Sequence, residues 1–271
     1  ASIHALTPYL LPLCSRVDTS NPSNRLLSPA LFLNGLRTKA KALQKHIVLP
    51  EGEDNRILQA AHYLLEKQLV RITLLGRAEK IQQRAKKLGI NIVNATIIDI
   101  ESSGKCAQYA QTYYELRKHK NINLPIAQER IMNPNYYAAM MVYCGDADGM
   151  VSGAVHTTAD TVRPALETIK TRPGVARVSS IFIMCLASRV VIYGDCAINP
   201  TPTSQELAEI GTQAALTATQ LGMQPKIALL SYSSGQSGQG ESVEKVREAT
   251  RIAKERRPDL MIDGPLQYDA A

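Results

Sequence analysis

The residues best suited to chemistry fall in one stretch, DADGMVSGAVHTTADTVRPALETIK, from Asp146 to Lys170. Ser152, Gly153, His156, Thr157, Thr158 and Arg163 bring hydroxyls, a bare backbone position, an imidazole and a guanidinium close together in sequence. That mixture suits an anion. Gly149-Met150-Val151 reads as a short buried strand. Asp160 or Thr161 can N-cap a helix after it, with Pro164 in its first turn and Ala165, Leu166 and Ile169 at helical spacing. A helix N-terminus offers unpaired N–H groups and about half a positive charge. Ser152, Thr157 and Thr158 can add donors, and the planar fork of Arg163 matches phosphate. The plainer alternative is a tight strand-to-helix turn capped by its own Thr and Asp, with Arg163 solvated. The local pattern fits both.

Other candidates are more dispersed. Arg117 lies in YYELRKHK, where cations complementing a helix C-terminus are one reading and an anion ligand another. Ser231-Tyr232-Ser233-Ser234-Gly235 ends a strand with hydroxyls and runs into a Gly/Ser/Gln loop, so Ser231 and Ser233 stand where open α/β sheets bind ligands; a mobile linker fits the same residues. His156 has the residue type of a general base, but a loop histidine beside a capping Thr is as often a structural donor. Cys196, in GDCAINP, has no His or basic neighbour in sequence to activate it and reads as an inert thiol. The chain has no GxxxxGK[ST], no GxGxxG after a strand, no HExxH and no GxSxG, which withdraws support from Walker-type kinases, Rossmann dehydrogenases and nucleophile-elbow hydrolases.

The elements that position these residues alternate. Helices are expected at about 29–43, 54–67, 81–88 and 106–118, near 126–132 and 136–143, and at 204–221 and 243–256. Strands are expected at 46–49, 70–75, 92–98, 227–232 and 260–263, with a β-hairpin formed by 180–186 and 190–193. Strands and helices alternating at these lengths imply an α/β fold with a parallel sheet. We read residues 1–25 as a linker or the tail of an upstream region, 26–173 as a first α/β domain and 174–271 as a second.

With 271 residues, 45% of them apolar and 20% charged, the chain has the composition of a soluble globular protein, and no apolar run spans a bilayer. Five cysteines, odd in number and without CxxC spacing, read as reduced cytosolic thiols. The net charge of +7 suggests an acidic partner, but residues 1–50 hold six Arg/Lys against one Asp, leaving +2 for the rest. With two Phe and no Trp as well, a nucleic-acid platform is disfavoured. The start at Ala1 and the stop at Ala271 suggest that both ends are cut.

HIVLPEGEDNRI, VSGAVHTTADTVRPALETIKTRPG, YGDCAINPTPTSQELAEI, ALLSYSSG and PDLMIDGPLQYDAA, in that order from His46 to the last residue, resemble the phosphate acetyl/butyryl transferase family. The resemblance implies exchange of acetyl between coenzyme A and phosphate, giving acetyl phosphate. It implies two α/β domains with a cleft between them, related to isocitrate and isopropylmalate dehydrogenases, and a homodimer or other homo-oligomer. Coenzyme A would be a substrate; no other cofactor, metal, nucleic acid or membrane is implied, and the location would be cytoplasmic. The family's arginine in ELRKHK matches Arg117, which with Arg163 would handle phosphate and the charge developing on the acyl oxygen. The family's Ser-Arg-Gly donor and Asp base, and the segment completing its first domain, would follow Ala271. Butyryl transfer and a non-catalytic acetyl-CoA-sensing domain, like that of some malic enzymes, are the alternatives.

Overall fold

A computed structural model describes residues 28–235 and 237–271. The expected 1–25 tail and Cys14 lie outside the described residues. The described residues gather into two compact units, one containing Gly35–Lys170 and the other Thr171–Ala271.

Helix α1 (Pro29–Leu43) has Pro29 at its first position, and the Ser28 hydroxyl accepts the Leu31 N–H at 3.3 Å. After it come β1 (His46–Leu49), α2 (Asn55–Glu66), β2 (Arg71–Leu75), α3 (Ala78–Leu88) and β3 (Thr96–Ile98). Asp54 caps α2, and Gly89, left-handed at φ 64°, closes α3. The expected strand 92–98 is shorter than its β-branched composition suggests. The Asn91 side chain accepts the Val93 N–H, and the Ala95 N–H bonds to the Ile92 carbonyl, so a local turn uses groups a ladder would need. Then follow α4 (Cys106–Arg117), a 3-10 turn (Lys118–Lys120), α5 (Leu124–Ile131), α6 (Pro134–Tyr143), β4 (Gly149–Met150) and α7 (Thr158–Thr168).

The four strands form one parallel sheet in the order β3-β2-β1-β4. Successive side chains point to opposite faces, and both faces are covered. Leu49, Ile72 and Leu74 pack with Leu58 and Ala61 of α2 and Ile81 and Ala85 of α3. Val48 and Leu75 pack the other way, with Tyr109 and Tyr113 of α4, Ile131 of α5 and Tyr137 and Met140 of α6. Tyrosine serves as the large aromatic here, and each buried ring finds a polar partner. The Tyr109 hydroxyl donates to Asp146 at 2.6 Å, and that of Tyr137 pairs with Ser103 at 2.5 Å.

The second unit is built differently. β5 (Ile181–Cys185) and β6 (Val190–Gly194) form the expected antiparallel hairpin. α8 (Ser204–Gln220), β7 (Lys226–Leu230), α9 (Glu241–Arg256) and β8 (Met261–Leu266) follow, with β7 and β8 parallel. Ala208, Leu229, Val246, Ala249, Ala253 and Ile262 make its core, where small residues let α8 and α9 approach closely. A groove of about 800 Å³ runs along the β7–β8 pair, lined by Ala228, Met261, Ile262 and Leu266 among others.

Candidate active site

The chain leaves β1 toward β2 and β3, then returns through β4 on the other side of β1. The carboxyl ends of β1 and β4 therefore flank a topological switch point, where open α/β sheets bind ligands. Ile47 pairs with Gly149 and Val48 with Met150, and the Val151 N–H reaches the Val48 carbonyl at 3.1 Å. Continuing that register brings Glu51 level with Gly153.

Glu51 is only 6% exposed, and its carboxylate fills the loop after β4. One oxygen accepts the N–H groups of Gly153 (3.1 Å) and Ala154 (2.8 Å). The other accepts those of Val155 (2.7 Å) and His156 (2.8 Å), together with His156 Nδ1 at 2.9 Å. Residues 153–156 are thus an anion nest, but the anion is the chain's own carboxylate. The four amides are therefore already occupied within the chain. Burial pushes the Glu51 carboxyl up, yet the hydrogen bonds from the His156, Val155 and Ala154 amides and the His156 imidazole outweigh it and hold the group below its ordinary range. Arg56 grips the other side of the loop: it donates to the Ala154 carbonyl while pairing with Asp54 at 2.9 and 3.0 Å. Gly52 makes this close approach possible. Its N–H bonds the Leu75 carbonyl at 3.1 Å, and a Cβ there would sit 2.6 Å from the same oxygen.

Helix α7 starts earlier than expected. Thr157, not Asp160 or Thr161, is the N-cap, with Thr157 and Asp160 forming a reciprocal capping box. Pro164 therefore lies inside the helix instead of in its first turn, and Arg163 belongs to the second turn, exposed. Pro164 has no N–H for the carbonyl of Asp160, four residues back. Asn135, fully buried in the first turn of α6, supplies the missing donor: its amide reaches that carbonyl at 3.2 Å. The Asn135 side-chain oxygen accepts the Ser152 hydroxyl at 2.8 Å. The hydroxyls of Ser152 and Thr157 are thus engaged within the protein, and Thr158 is exposed at the first position of α7.

Arg117, the last residue of α4, meets α7 near its other end. One terminal nitrogen lies 3.8 Å from Glu167, and its Nε is buried without a hydrogen-bond partner among the described residues. Glu167 also accepts from the hydroxyls of Tyr113 (2.6 Å) and Tyr136 (3.0 Å) and from Arg130 (3.2 Å). Two guanidinium groups therefore face one carboxylate. Burial, reinforced by the hydrogen bond to Glu167, raises the Tyr113 hydroxyl pKa. Arg163 and Glu167 are one helical turn apart on one face, which brings Arg163 and Arg117 to the same side of α7. Ten residues separate Thr157 from Glu167, about 15 Å of helix, so the loop and Arg117 stand at opposite ends with Arg163 between them.

Ser231 and Ser233 belong to the second unit. The Ser231 N–H bonds the Leu266 carbonyl at 2.8 Å. Ser233 is buried, its hydroxyl 3.0 Å from that of Ser237, in a loop so tight that a Cβ on Gly238 would collide with it. Gln236 of the same loop lies outside the described residues. Cys196 is half-buried beside Ser180, its sulfur 3.4 Å from the hydroxyl. Its neighbour Asp195 repeats the nest arrangement, accepting the N–H groups of Ala197, Ile198 and Asn199 at 2.9–3.1 Å. Burial opposes its charge, but hydrogen bonds from the Ser180 hydroxyl, Ala197 and Asn199 prevail and hold the carboxyl far below its usual range.

Glu51, Asn135, Arg130 and Glu167 were not anticipated. Glu51 follows only from the pairing of β1 with β4, which nothing local in the sequence states, whereas Glu167 was accessible by its four-residue spacing from Arg163. Asn135 is recognisable only once Pro164 is known to sit mid-helix.

The model of the family described as Phosphate acetyl/butaryl transferase matches residues 31–271. A phosphate acetyltransferase of Synechocystis is 53% identical over 90% of the chain, which spans 35% of that relative. One of Corynebacterium glutamicum is 46% identical over 90% of the chain and 74% of its own length. Among solved structures, the EutD phosphotransacetylase from Staphylococcus aureus superposes with a TM-score of 0.82 at 45% identity, covering 90% of this chain and 75% of that one.

Proposed function

Because the chain belongs to the phosphate acetyl/butaryl transferase family, we propose that it serves the reversible transfer of an acetyl group between coenzyme A and phosphate. The carrying observation is the 46% identity with the Corynebacterium glutamicum phosphate acetyltransferase across three quarters of that protein's length. The geometry is compatible: guanidinium groups gather along α7, beside loops at a switch point of a parallel sheet.

In the transfer, the thiol sulfur of coenzyme A attacks the acetyl carbonyl of acetyl phosphate. A C–S bond forms, the C–O bond to phosphate breaks, and the thiol proton ends on the departing phosphate. Negative charge builds on the carbonyl oxygen and the bridging oxygen, and fixed cations stabilise both more in the transition state than in the ground state. Arg117 and Arg163 take that role. Arg117 is held ready by Glu167. His156, Gly153, Thr157, Thr158, Ser152, Ser231 and Ser233 contribute to substrate binding, the first of these through its second ring nitrogen. Coenzyme A enters as substrate. Residues 26–173 and 174–271 act as two α/β domains, as in isocitrate and isopropylmalate dehydrogenases, and the protein works as a homo-oligomer in a cytoplasmic setting.

The test is acetyl-CoA formation from acetyl phosphate and coenzyme A by the full-length protein, with butyryl phosphate as comparison. Turnover faster with the acetyl donor supports the reading. No turnover with either, or a preference for butyryl phosphate, refutes it.

A further inference from the structure

Glu51 is a buried carboxylate outside the residues assigned above, and it does two things at once. It neutralises four consecutive loop amides, and it accepts from His156 Nδ1 at 2.9 Å. An ionised carboxylate is an acceptor only, so the shared proton belongs to Nδ1. With the proton held on Nδ1, the neutral tautomer selected by Glu51 is the one whose Nε2 is a bare acceptor. Nε2 has no hydrogen-bond partner among the described residues, and it is not among their sealed, unpartnered atoms. The His156 side chain is 25% exposed and that of Glu51 1%, so the pair presents one lone pair outward from a buried anchor. The imidazole is further fixed by its own backbone, whose N–H is bound to the same carboxylate oxygen.

A lone-pair acceptor distinguishes two tetrahedral anions of nearly equal size. Hydrogen phosphate carries a P–OH at neutral pH and can donate to Nε2, whereas sulfate carries no proton and meets it lone pair against lone pair. We propose that Glu51 is a positioning residue which, by fixing the tautomer of His156, makes Nε2 an acceptor for the hydroxyl of hydrogen phosphate and so selects phosphate over sulfate. This rests on the proposed function, in which His156 contributes to the phosphate-handling loop. Loss of the acceptor unlinks the preference from the fold. In a Glu51→Gln protein the side-chain amide can face Nδ1, which frees the imidazole to place its proton on Nε2 and turn it into a donor.

The experiment measures dissociation constants of inorganic phosphate and of sulfate for the full-length protein and its Glu51→Gln and His156→Ala variants, with nitrogen-15 spectra of the imidazole. His156→Ala leaves the four amide–carboxylate bonds in place and serves if Glu51→Gln does not fold. Phosphate binding should weaken about tenfold in each variant, the loss of one hydrogen bond to a charged group, while sulfate binding is unchanged or improved. The wild-type spectrum should show the proton on Nδ1, and Glu51→Gln should move it. Equal weakening of both anions would reduce Glu51 to a loop support, and an unchanged ratio would remove His156 from anion selection; either overturns the inference while turnover of wild type keeps the proposed function. A wild-type protein that binds neither anion and turns nothing over would remove both together.

Discussion

Arg163 leaves the second turn of α7 exposed, on the helix face that also carries Glu167, so removing it subtracts charge from the site and little from the fold. Arg163→Ala should lower turnover roughly 10- to 100-fold, the value of one charge-assisted contact, with an unchanged melting temperature; steady-state kinetics and a thermal melt check both. Glu51 behaves oppositely, because its charge belongs to the fold. Its carboxyl pKa is depressed in the folded protein, so its contribution is fully present above the unfolded value, about 4.3, and fades as pH falls through the folded value. Glu51→Gln should therefore destabilise by about 2–3 kcal/mol at pH 7, and the gap to wild type should shrink below about pH 4, followed by urea unfolding at several pH values. The types of Ser152, His156, Thr157 and Arg163 made the loop conspicuous in sequence. The occupant of the loop was not legible, because it lies a hundred residues upstream and is joined only through strand pairing.

Helix α7 shows how one residue propagates through an element. A proline in mid-helix would strand the Asp160 carbonyl, and the buried Asn135 amide takes that carbonyl while anchoring Ser152 on its other side. Asn135→Leu keeps the volume but leaves both groups unpartnered, and should cost about 2 kcal/mol or more. Pro164→Ala restores the missing N–H, so the same Asn135→Leu change should cost less in that background; a double-mutant cycle of melting free energies measures the coupling, and additive costs would exclude it. Most elements were legible from apolar periodicity and caps, α3 and its Gly89 stop being the clearest. The start of α7 was misplaced because Thr157, Asp160 and Thr161 all qualify as caps, and only the reciprocal Thr157–Asp160 geometry separates them. The strand at 92–98 was overread because β-branched composition outweighed Asn91, whose side chain starts a turn.

At the scale of the molecule, the two units differ in how completely their sheets are enclosed. β1 and β2 are internal strands with helices on both faces, whereas β7 and β8 form a two-stranded pair with a groove beside it, and Leu230 and Met261 remain about half exposed. A two-stranded sheet is marginal without further cover. Amide exchange should accordingly be slowest at Ile47–Leu49 and Ile72–Leu75 and clearly faster at Ile227–Leu230 and Ile262, as mass spectrometry of exchanged peptides would show; the reverse order would contradict this ranking of the sheets. Alternation of strands and helices made the parallel sheet legible, but the order β3-β2-β1-β4 was not, because nothing local states on which side of β1 the chain returns. That return has one more consequence. Glu51 and the loop it fills are each counted out from the same ladder, so the sheet acts as a ruler with two marks that must coincide. Inserting a single residue between Ile47 and Glu51, or between Gly149 and Gly153, displaces one mark by about 3.3 Å and turns its side chain to the opposite face. Substitutions along these two strands can be absorbed by repacking; changes of length cannot, and here the chain tolerates a new spelling but not a new letter.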